Sequence, residues 1–220
     1  GSNFIVATGG TVTTSGDFKI HTFTVPGSFV VCSTAGCAAD NKIDYLVVAG
    51  GGAATGAAGS GAGAGGFRLS NSVGCVPSPT NSPLENSTGL PVTATGYPIT
   101  VGGGGAAVTA GSNSVFSTIT SAGGGRGLQP SSGSGGAVTG QGGSGGGGGA
   151  NNTANVGGNG NTPPVSPPQG NPGGRGTSAP TRNAAGGGGG AGAAGGDAST
   201  GGGGSGGGGG AGSHLSDNFV

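Results

Sequence analysis

The chain has few of the residues from which most protein cores are built. Met and Trp are absent, and the 220 residues include only seven Phe and two Tyr. A core of ordinary size needs many large apolar side chains, because burying one of them contributes only about 1.5–3 kcal/mol. Burial of side chains alone therefore does not explain how the whole chain would fold.

Charge is scarce as well. Six basic and six acidic residues give a formal net charge of zero, and long stretches carry no charge at all. The basic residues are scattered singly, whereas nucleic-acid binding needs them grouped into a positive patch. Disordered chains usually combine low hydrophobicity with many charges. These shortages exclude nucleic acid as a partner and favour association of the uncharged segments with one another.

Long apolar runs and clusters of reactive side chains are missing too. No stretch approaches the roughly 20 apolar residues of a membrane span, and residues 1–10 lack the basic start and apolar centre of a signal peptide. The carboxylates are spread along the chain without the pairing that acid–base chemistry or metal binding needs. We therefore expect no membrane insertion, no metal site, no cofactor and no enzymatic activity.

The chain has three cysteines, Cys32, Cys37 and Cys75, which is an odd number. A disulfide between Cys32 and Cys37 would close a small loop and would indicate an oxidising compartment. Three separate thiols are the alternative. Metal binding is disfavoured, because neither His21 nor His214 lies at a zinc-type spacing from these cysteines.

Glycine is the residue in excess, with 63 of the 220 positions. Residues 1–49 differ from the rest because they hold most of the β-branched and aromatic residues and few glycines. We predict a β-rich N-terminal region over 1–49 and a glycine-rich bundle over 50–212, with β insertions near 91–101 and 114–120. The last residues, 213–220, leave the glycine pattern and are predicted to dock onto the fold.

Alternation of apolar and polar residues predicts several strands in the N-terminal region. Residues 18–25 alternate, and residues 28–32 continue after the turn signal Pro26-Gly27, which predicts a β-hairpin. Residues 3–7 and 44–49 are further strand candidates. The strand at 44–49 runs directly into the first glycine run, so the β-region is expected to lead straight into the glycine region.

The glycine runs predict polyglycine II helices. This left-handed helix has three residues per turn, rises about 3.1 Å per residue and has no internal hydrogen bonds, so its donors and acceptors face neighbouring helices. Only glycine leaves the approach open at every crowded position. Straight runs of about 11–17 residues would span roughly 34–53 Å. The predicted fold class is a small all-β region followed by a polyglycine II bundle, with essentially no α-helix; a flexible Gly/Ser linker is the alternative.

Five segments within the first 125 residues resemble a known type of protein. They are ATGGTVTTSGDFKIHTFTVPGSFVV (7–31), DYLVVAGGG (44–52), GAGGFR (63–68), LPVTATGYPITVGGGG (90–105) and GSNSVFSTITSAGGG (111–125). Their order is similar to that in the glycine-rich domains of tail-fibre and other structural proteins of marine bacteriophages. More distantly, the alternation of glycine runs and loops resembles the receptor-binding adhesins at the tips of T-even-like phage long tail fibres. The cysteine-bearing segments and the non-glycine C-terminus depart from that pattern.

The resemblance implies a virion-surface or extracellular protein whose loops contact a bacterial surface glycan or an outer-membrane protein. The implied contact loops are 150–156, 161–172, 177–185 and 197–200, by position in the chain. The candidate contact residues in and beside them are Asn151, Asn152, Thr153, Asn161, Gln169, Asn171, Arg175, Arg182 and Asn183. Their polar side chains would bind mainly through hydrogen bonds, with few aromatic anchors.

Two other functions compete with receptor binding. The chain could be a self-assembling extracellular filament subunit, in which terminal residues contact other copies; the candidates are Phe4, Ile5, Leu215 and Phe219. An ice-binding protein is a third hypothesis, because a polyglycine II bundle can present a flat face of small side chains. That function needs a regular outward row at three-residue spacing, and the runs are too irregular to show one.

Overall fold

A computed structural model describes residues 4–56, 59–72, 82–129, 140–150, 156–177, 183–200 and 204–215. These residues contain β-strands and a single 3-10 helix of three residues, Ala38–Asp40, and no α-helix. The predicted all-β class with essentially no α-helix is therefore confirmed.

The strands are short and lie in the first 121 residues. They are β1 (Val6–Thr8), β2 (Thr11–Ser15), β3 (Phe18–Thr22), β4 (Gly27–Ser33), β5 (Lys42–Ile43), β6 (Leu46–Val48), β7 (Phe67–Ser70), β8 (Glu85–Asn86), β9 (Leu90–Pro91), β10 (Gly96–Thr100), β11 (Ser114–Phe116) and β12 (Ile119–Ser121).

The largest sheet has five antiparallel strands in the order β1-β4-β10-β11-β12. β4 has β1 along one edge and β10 along the other, where Phe29 pairs with Tyr97. Strands from the segments near 91–101 and 114–120 thus extend a sheet that begins in the N-terminal region. The other sheets are β2-β3, β5-β9 and β6-β7-β8, and in the last of these β7 and β8 are parallel.

The predicted hairpin across Pro26-Gly27 is wrong. β3 pairs with β2, across the tight turn at Gly16 and Asp17, and Gly16 has the left-handed φ of 54° that glycine adopts without strain. Both edges of β4 are occupied by β1 and β10. Alternation identified these strands correctly, but it does not say which strand pairs with which.

A small apolar core joins the sheets. Its buried side chains are those of Phe29, Val31, Tyr45, Val47, Leu90, Val92 and Phe116. The rings of Phe29 and Phe116 pack edge to face with centroids 5.8 Å apart, and the His21 ring packs on Phe29 in the same way at 5.1 Å. Phe23 and Tyr97 pack against the same cluster, so five of the nine Phe and Tyr residues lie in or beside this core.

The glycine region consists of short extended runs that form neither helix nor sheet. We number them in chain order. They are run 1 (49–53), run 2 (61–66), run 3 (102–105), run 4 (109–113), run 5 (122–128), run 6 (140–143), run 7 (144–149), run 8 (157–160), run 9 (170–176), run 10 (184–190), run 11 (193–198) and run 12 (206–212).

Hydrogen bonds join the runs to one another in steps of three residues. Between runs 2 and 10, Gly61 N–H donates to Gly186 O (3.2 Å) and Ala64 N–H donates to Gly189 O (3.0 Å), so both partners advance by three. The same step recurs between antiparallel runs, as in runs 7 and 2, where Ser144 donates to Ala64 and Gly147 donates to Gly61. A three-residue step is what a chain with three residues per turn predicts.

Run 7 lies at the centre of a closed ring of six runs. It is hydrogen-bonded to runs 2, 5, 6, 8, 9 and 10, and each of these is bonded to the next around the ring. All residues of run 7 are buried. The glycine region is therefore a cross-bonded bundle.

The expected run length of roughly 34–53 Å is wrong. The stretch 50–66 folds back on itself as runs 1 and 2, because Ala49 N–H donates to Gly66 O and Gly52 N–H donates to Gly63 O. The stretch 186–196 likewise divides into runs 10 and 11, which are bonded through Gly187 and Gly196. Alanine and threonine residues that interrupt the glycine pattern mark these reversals, so the bundle is shorter and has more runs than the composition suggested.

Glycine is required where the runs touch. A Cβ atom added to Gly145 in run 7 would collide with the carbonyl oxygen of Gly158 in run 8. At Gly208, on the outer run 12, an added Cβ would meet no atom within 4 Å. The bundle thus has interior positions that only glycine can occupy and surface positions that accept a side chain.

We predict that Gly145→Ala destabilises the fold by about 3 kcal/mol or more, since the new methyl group overlaps a backbone carbonyl that cannot move alone. Gly208→Ala is the matched control; it should be neutral or stabilise by about 0.4–1 kcal/mol, because alanine restricts the unfolded chain. Denaturant-induced unfolding of both variants measures the difference. Equal stabilities would contradict the packing of run 7.

Candidate functional site: the loop end of the bundle

The runs alternate in direction along the chain. Hydrogen bonds make runs 1 and 2 antiparallel and runs 1 and 5 parallel. β6 ends where run 1 begins, and run 2 ends where β7 begins. The hydrogen bonds between the other pairs of runs give the same alternation of direction. The odd-numbered runs therefore begin at the sheets, and the even-numbered runs end there. We call this side the β end.

The opposite side of the bundle carries the other connections between runs, and we call it the loop end. The runs begin or end there at six connections, 54–60, 106–108, 129–139, 150–156, 177–183 and 199–205, of which residues 57–58, 130–139, 151–155, 178–182 and 201–203 lie outside the described residues. Three of the four loops implied by the resemblance, 150–156, 177–185 and 197–200, belong to this set. The loop end is the largest concentration of polar, non-glycine sequence in the bundle, and it is our candidate site.

Short hydrogen bonds hold the described residues of the loop end. Thr177 N–H donates to Ala184 O (2.8 Å), and the Thr177 hydroxyl accepts from Ala184 N–H (3.2 Å). Asp197 accepts from Arg175 N–H through Oδ1 (2.6 Å), which ties run 11 to run 9. Neighbouring runs are therefore clamped to one another just where they enter their loops.

The buried side chain of Ser60 joins two runs next to the loop end. The Ser60 side chain is 2% exposed, and its hydroxyl oxygen accepts from Leu128 N–H (2.6 Å) while its proton can be donated to Gly147 O (2.5 Å). Leu128 is completely buried beside it. This contact links runs 5 and 7 to the connection 54–60, so three parts of the loop end share one anchor.

The predicted contact residues divide into three groups. The side chains of Arg175 and Asn183 are exposed at the loop end. Asn161, Gln169 and Asn171 belong to the loop 161–172, which lies at the β end. The remaining four lie outside the described residues: Asn151, Asn152, Thr153 and Arg182.

The prediction that Gln169 contacts a receptor is wrong, because its side chain is fully buried. Its Oε1 accepts from Ala122 N–H (2.8 Å) and its Nε2 donates to Pro163 O (2.8 Å). Gln169 therefore joins the proline-bearing loop to the start of run 5, immediately after β12. A polar side chain in a proline-rich segment suggested exposure, and only the packing of the loop under the sheets reveals the burial.

Asn161 and Asn171 are also engaged inside the protein. Asn161 Oδ1 accepts from Val165 N–H (3.1 Å) and from Gln169 N–H (3.2 Å), so it shapes the loop from within. Asn171 Nδ2 donates to Gly190 O (3.1 Å) and Ala191 O (2.8 Å). Both side chains are half-buried. They hold the loop 161–172 and the turn after run 10, and their contact with a receptor stays a prediction.

Of the two alternatives for Cys32 and Cys37, a disulfide or separate thiols, the structure has the second, since both are free, exposed thiols. Cys32 lies on the outer face of β4, opposite the buried Val31. The turn that follows is held instead by Asn41, whose Oδ1 accepts from Ala35 N–H (2.7 Å) and whose Nδ2 donates to Ala35 O (3.3 Å). Cys75 lies outside the described residues.

The candidate subunit-contact residues are placed differently from one another. Phe4 is 78% exposed, whereas Ile5 packs against the core cluster. Leu215 is half-buried at the β end, near the contact between the Ser213 and Ser82 hydroxyls (2.7 Å). Phe219 lies outside the described residues. Ile5 thus contributes to this chain's own core.

A family model described as a glycine-rich domain matches residues 24–219 of the chain. The chain belongs to this glycine-rich domain family. The match spans the strands from β4 onward and all twelve runs, and β1, β2 and β3 precede it. No curated protein and no solved structure matches the chain.

The described residues of this glycine-rich domain contain neither a membrane-spanning helix nor a group of metal ligands. No helix among them has the length and apolar character needed to cross a membrane. In the same part of the chain, no three His, Cys, Asp or Glu side chains group together as ligands for a metal ion.

We predict that Gln169→Leu destabilises the domain by about 3 kcal/mol, because Ala122 N–H and Pro163 O would both lose their partner in a buried place. Gln141→Leu, at an exposed glutamine, is the matched control and should change stability by less than about 0.5 kcal/mol. Thermal unfolding of the two variants decides. If Gln169→Leu unfolds like the wild type, Gln169 does not join loop and sheet.

Thiol labelling tests the free cysteines. In a Cys75→Ser background, a maleimide should add two labels to the native protein without reductant, because both remaining thiols are exposed and unpaired. Intact mass spectrometry counts the labels. If the native protein took up no label, and two labels after reduction, the disulfide would form after all.

Proposed function

We propose that this glycine-rich domain is a receptor-binding structural module of the phage tail-fibre type, acting at a virion surface or in the extracellular space. Its loop end would contact a bacterial surface glycan or an outer-membrane protein. The observation that carries the proposal is the alternation of run direction, which gathers six connections at one end of the bundle. A surface assembled from many separate loops suits recognition, because each loop varies without disturbing the runs.

We further propose that the runs are polyglycine II helices. The three-residue step of their hydrogen bonds and the ring of six around run 7 support this conformation. Such a bundle would serve an adhesin as a stiff support, since moving one run breaks bonds to several others. A support that stays fixed during binding lowers the entropy lost on association.

The composition of the loop end supports a hydroxyl-rich ligand. None of the seven Phe and two Tyr residues falls in its six connections, which hold mainly Ala, Asn, Gly, Ser and Thr. Aromatic side chains are among the usual anchors of protein–protein interfaces. Asn, Ser and Thr instead match the donors and acceptors of a polar surface such as a glycan.

A filament subunit is the second candidate. It is favoured by exposed apolar side chains near the N-terminus, where Phe4 is 78% and Val25 67% exposed. Contiguous exposed apolar surface often marks an interface. Regular filaments of the purified protein in negative-stain electron microscopy would support this candidate, and discrete particles would support the adhesin.

Binding to cells tests the proposed function. Fluorescently labelled protein is mixed with a panel of Gram-negative cells and with glycans extracted from their surfaces. We expect saturable binding that weakens about threefold to tenfold in Asn183→Ala and in Arg175→Ala, since each removes a hydrogen-bonding side chain at the loop end.

Asn159→Ala is the control, because Asn159 is an exposed asparagine in the half of run 8 that is nearer the β end, where its carbonyl oxygen accepts from Gly142 N–H. This variant should bind like the wild type. Equal loss in Asn159→Ala and Asn183→Ala, or no binding to any cell or glycan, would contradict recognition by the loop end. Breakdown of the glycan during the assay would contradict a purely binding function.

A further inference from the structure

A groove of about 590 Å³ runs along one side of the bundle. Run 10 forms its floor, runs 2 and 12 form its walls, and Val48 and Phe67 close it toward the β end. It is lined by the runs themselves along the side of the bundle, and none of the residues of the six loop-end connections lines it.

The groove is an empty position in the packing of the runs. Run 7 has six bonded neighbours, whereas run 10 has five, namely runs 2, 7, 9, 11 and 12. Consecutive members of these five are bonded to one another, except that no hydrogen bond joins runs 12 and 2 among the described residues. The groove lies between those two runs, so it occupies the place of the sixth neighbour.

The walls and floor present unpaired backbone donors in the register of the bundle. Within the described part of the chain, the residues lining the groove include three pairs whose backbone N–H groups have no acceptor, one pair each from run 2, from run 10 and its end, and from run 12. The two members of each pair are three residues apart. The six N–H groups belong to Ala62, Gly65, Gly188, Ala191, Gly209 and Gly212. The same step of three joins the runs already in the bundle, so the groove is complementary to one more chain of that kind.

We propose that a second copy of this chain fills the groove with its own run 12. Among the described residues, run 12 is bonded to two other runs, 10 and 11. An added Cβ at Gly208, Gly209 or Gly212 would meet no atom within 4 Å, so another backbone can approach run 12 closely. Because run 12 also forms one wall of the groove, two copies can exchange the same contact. The result is a two-fold symmetric dimer in which each run 10 gains its sixth neighbour.

Two features of the chain favour this occupant. The bundle already contains parallel and antiparallel bonded pairs, such as runs 2 and 10 and runs 2 and 7, so a run from another copy fits in either direction. The exposed Val48, at 48%, lies at the end of the groove and would be covered. The new contact continues an interface that the chain has built many times within itself.

Sedimentation velocity across a range of protein concentrations tests the proposal on the full chain. The wild type should show a monomer–dimer equilibrium. Gly209→Val should weaken the dimer at least about tenfold, because its side chain fills the groove and projects from run 12 toward the partner. Its fold should be unchanged, since that side chain projects into open space in the monomer.

Gly103→Val is the matched control. Gly103 is also exposed with no atom within 4 Å of an added Cβ, but it lies in run 3 and does not line the groove. This variant should form dimers like the wild type, and thermal unfolding of both variants verifies that they fold. A wild type that stays monomeric at all concentrations overturns the proposal. So does a Gly209→Val variant that still forms dimers, or a Gly103→Val variant that loses them equally.

Discussion

The need of each glycine run for hydrogen-bond partners in other runs is the constraint on which this structure depends. In run 7, the N–H groups of residues 144–148 all donate to carbonyl oxygens of other runs. A single run has no reason to be ordered, because glycine loses more backbone entropy on ordering than any other residue. The bundle is therefore expected to form cooperatively, with its central run enclosed by six others.

The β-region and the bundle depend on each other through this requirement. Each of the first five runs follows or precedes a strand, so the sheets set the positions at which these runs begin or end. Two side-chain contacts fasten the junction: Gln169 bonds to Ala122 at the start of run 5, and the Ser121 hydroxyl donates to Val47 O (2.6 Å). A modest apolar core is sufficient here, because it has to align the first runs and not to bury the whole chain.

Sequence reasoning identified most local features and few of their partners. The strand candidate at 3–7 overlaps β1 and the candidate at 44–49 contains β6, since alternation and apolar runs report local burial. The predicted pairing of β3 with β4 was wrong, because pairing depends on which strand edges remain free in the fold. Gln169 and Asn171 were taken for surface residues, since a polar side chain carries no sign of the backbone group that will bond to it in the fold.

The amino-acid sequence by itself determined the all-β class, the absence of an ordinary core and the dependence on glycine, because these follow from composition and local pattern. It also marked the polar segments that connect the runs. The order, direction and neighbours of the runs were decided only in the tertiary structure. The physical reason is that a glycine run has no side chain with which to select a neighbour, and its backbone bonds equally well to parallel and antiparallel partners.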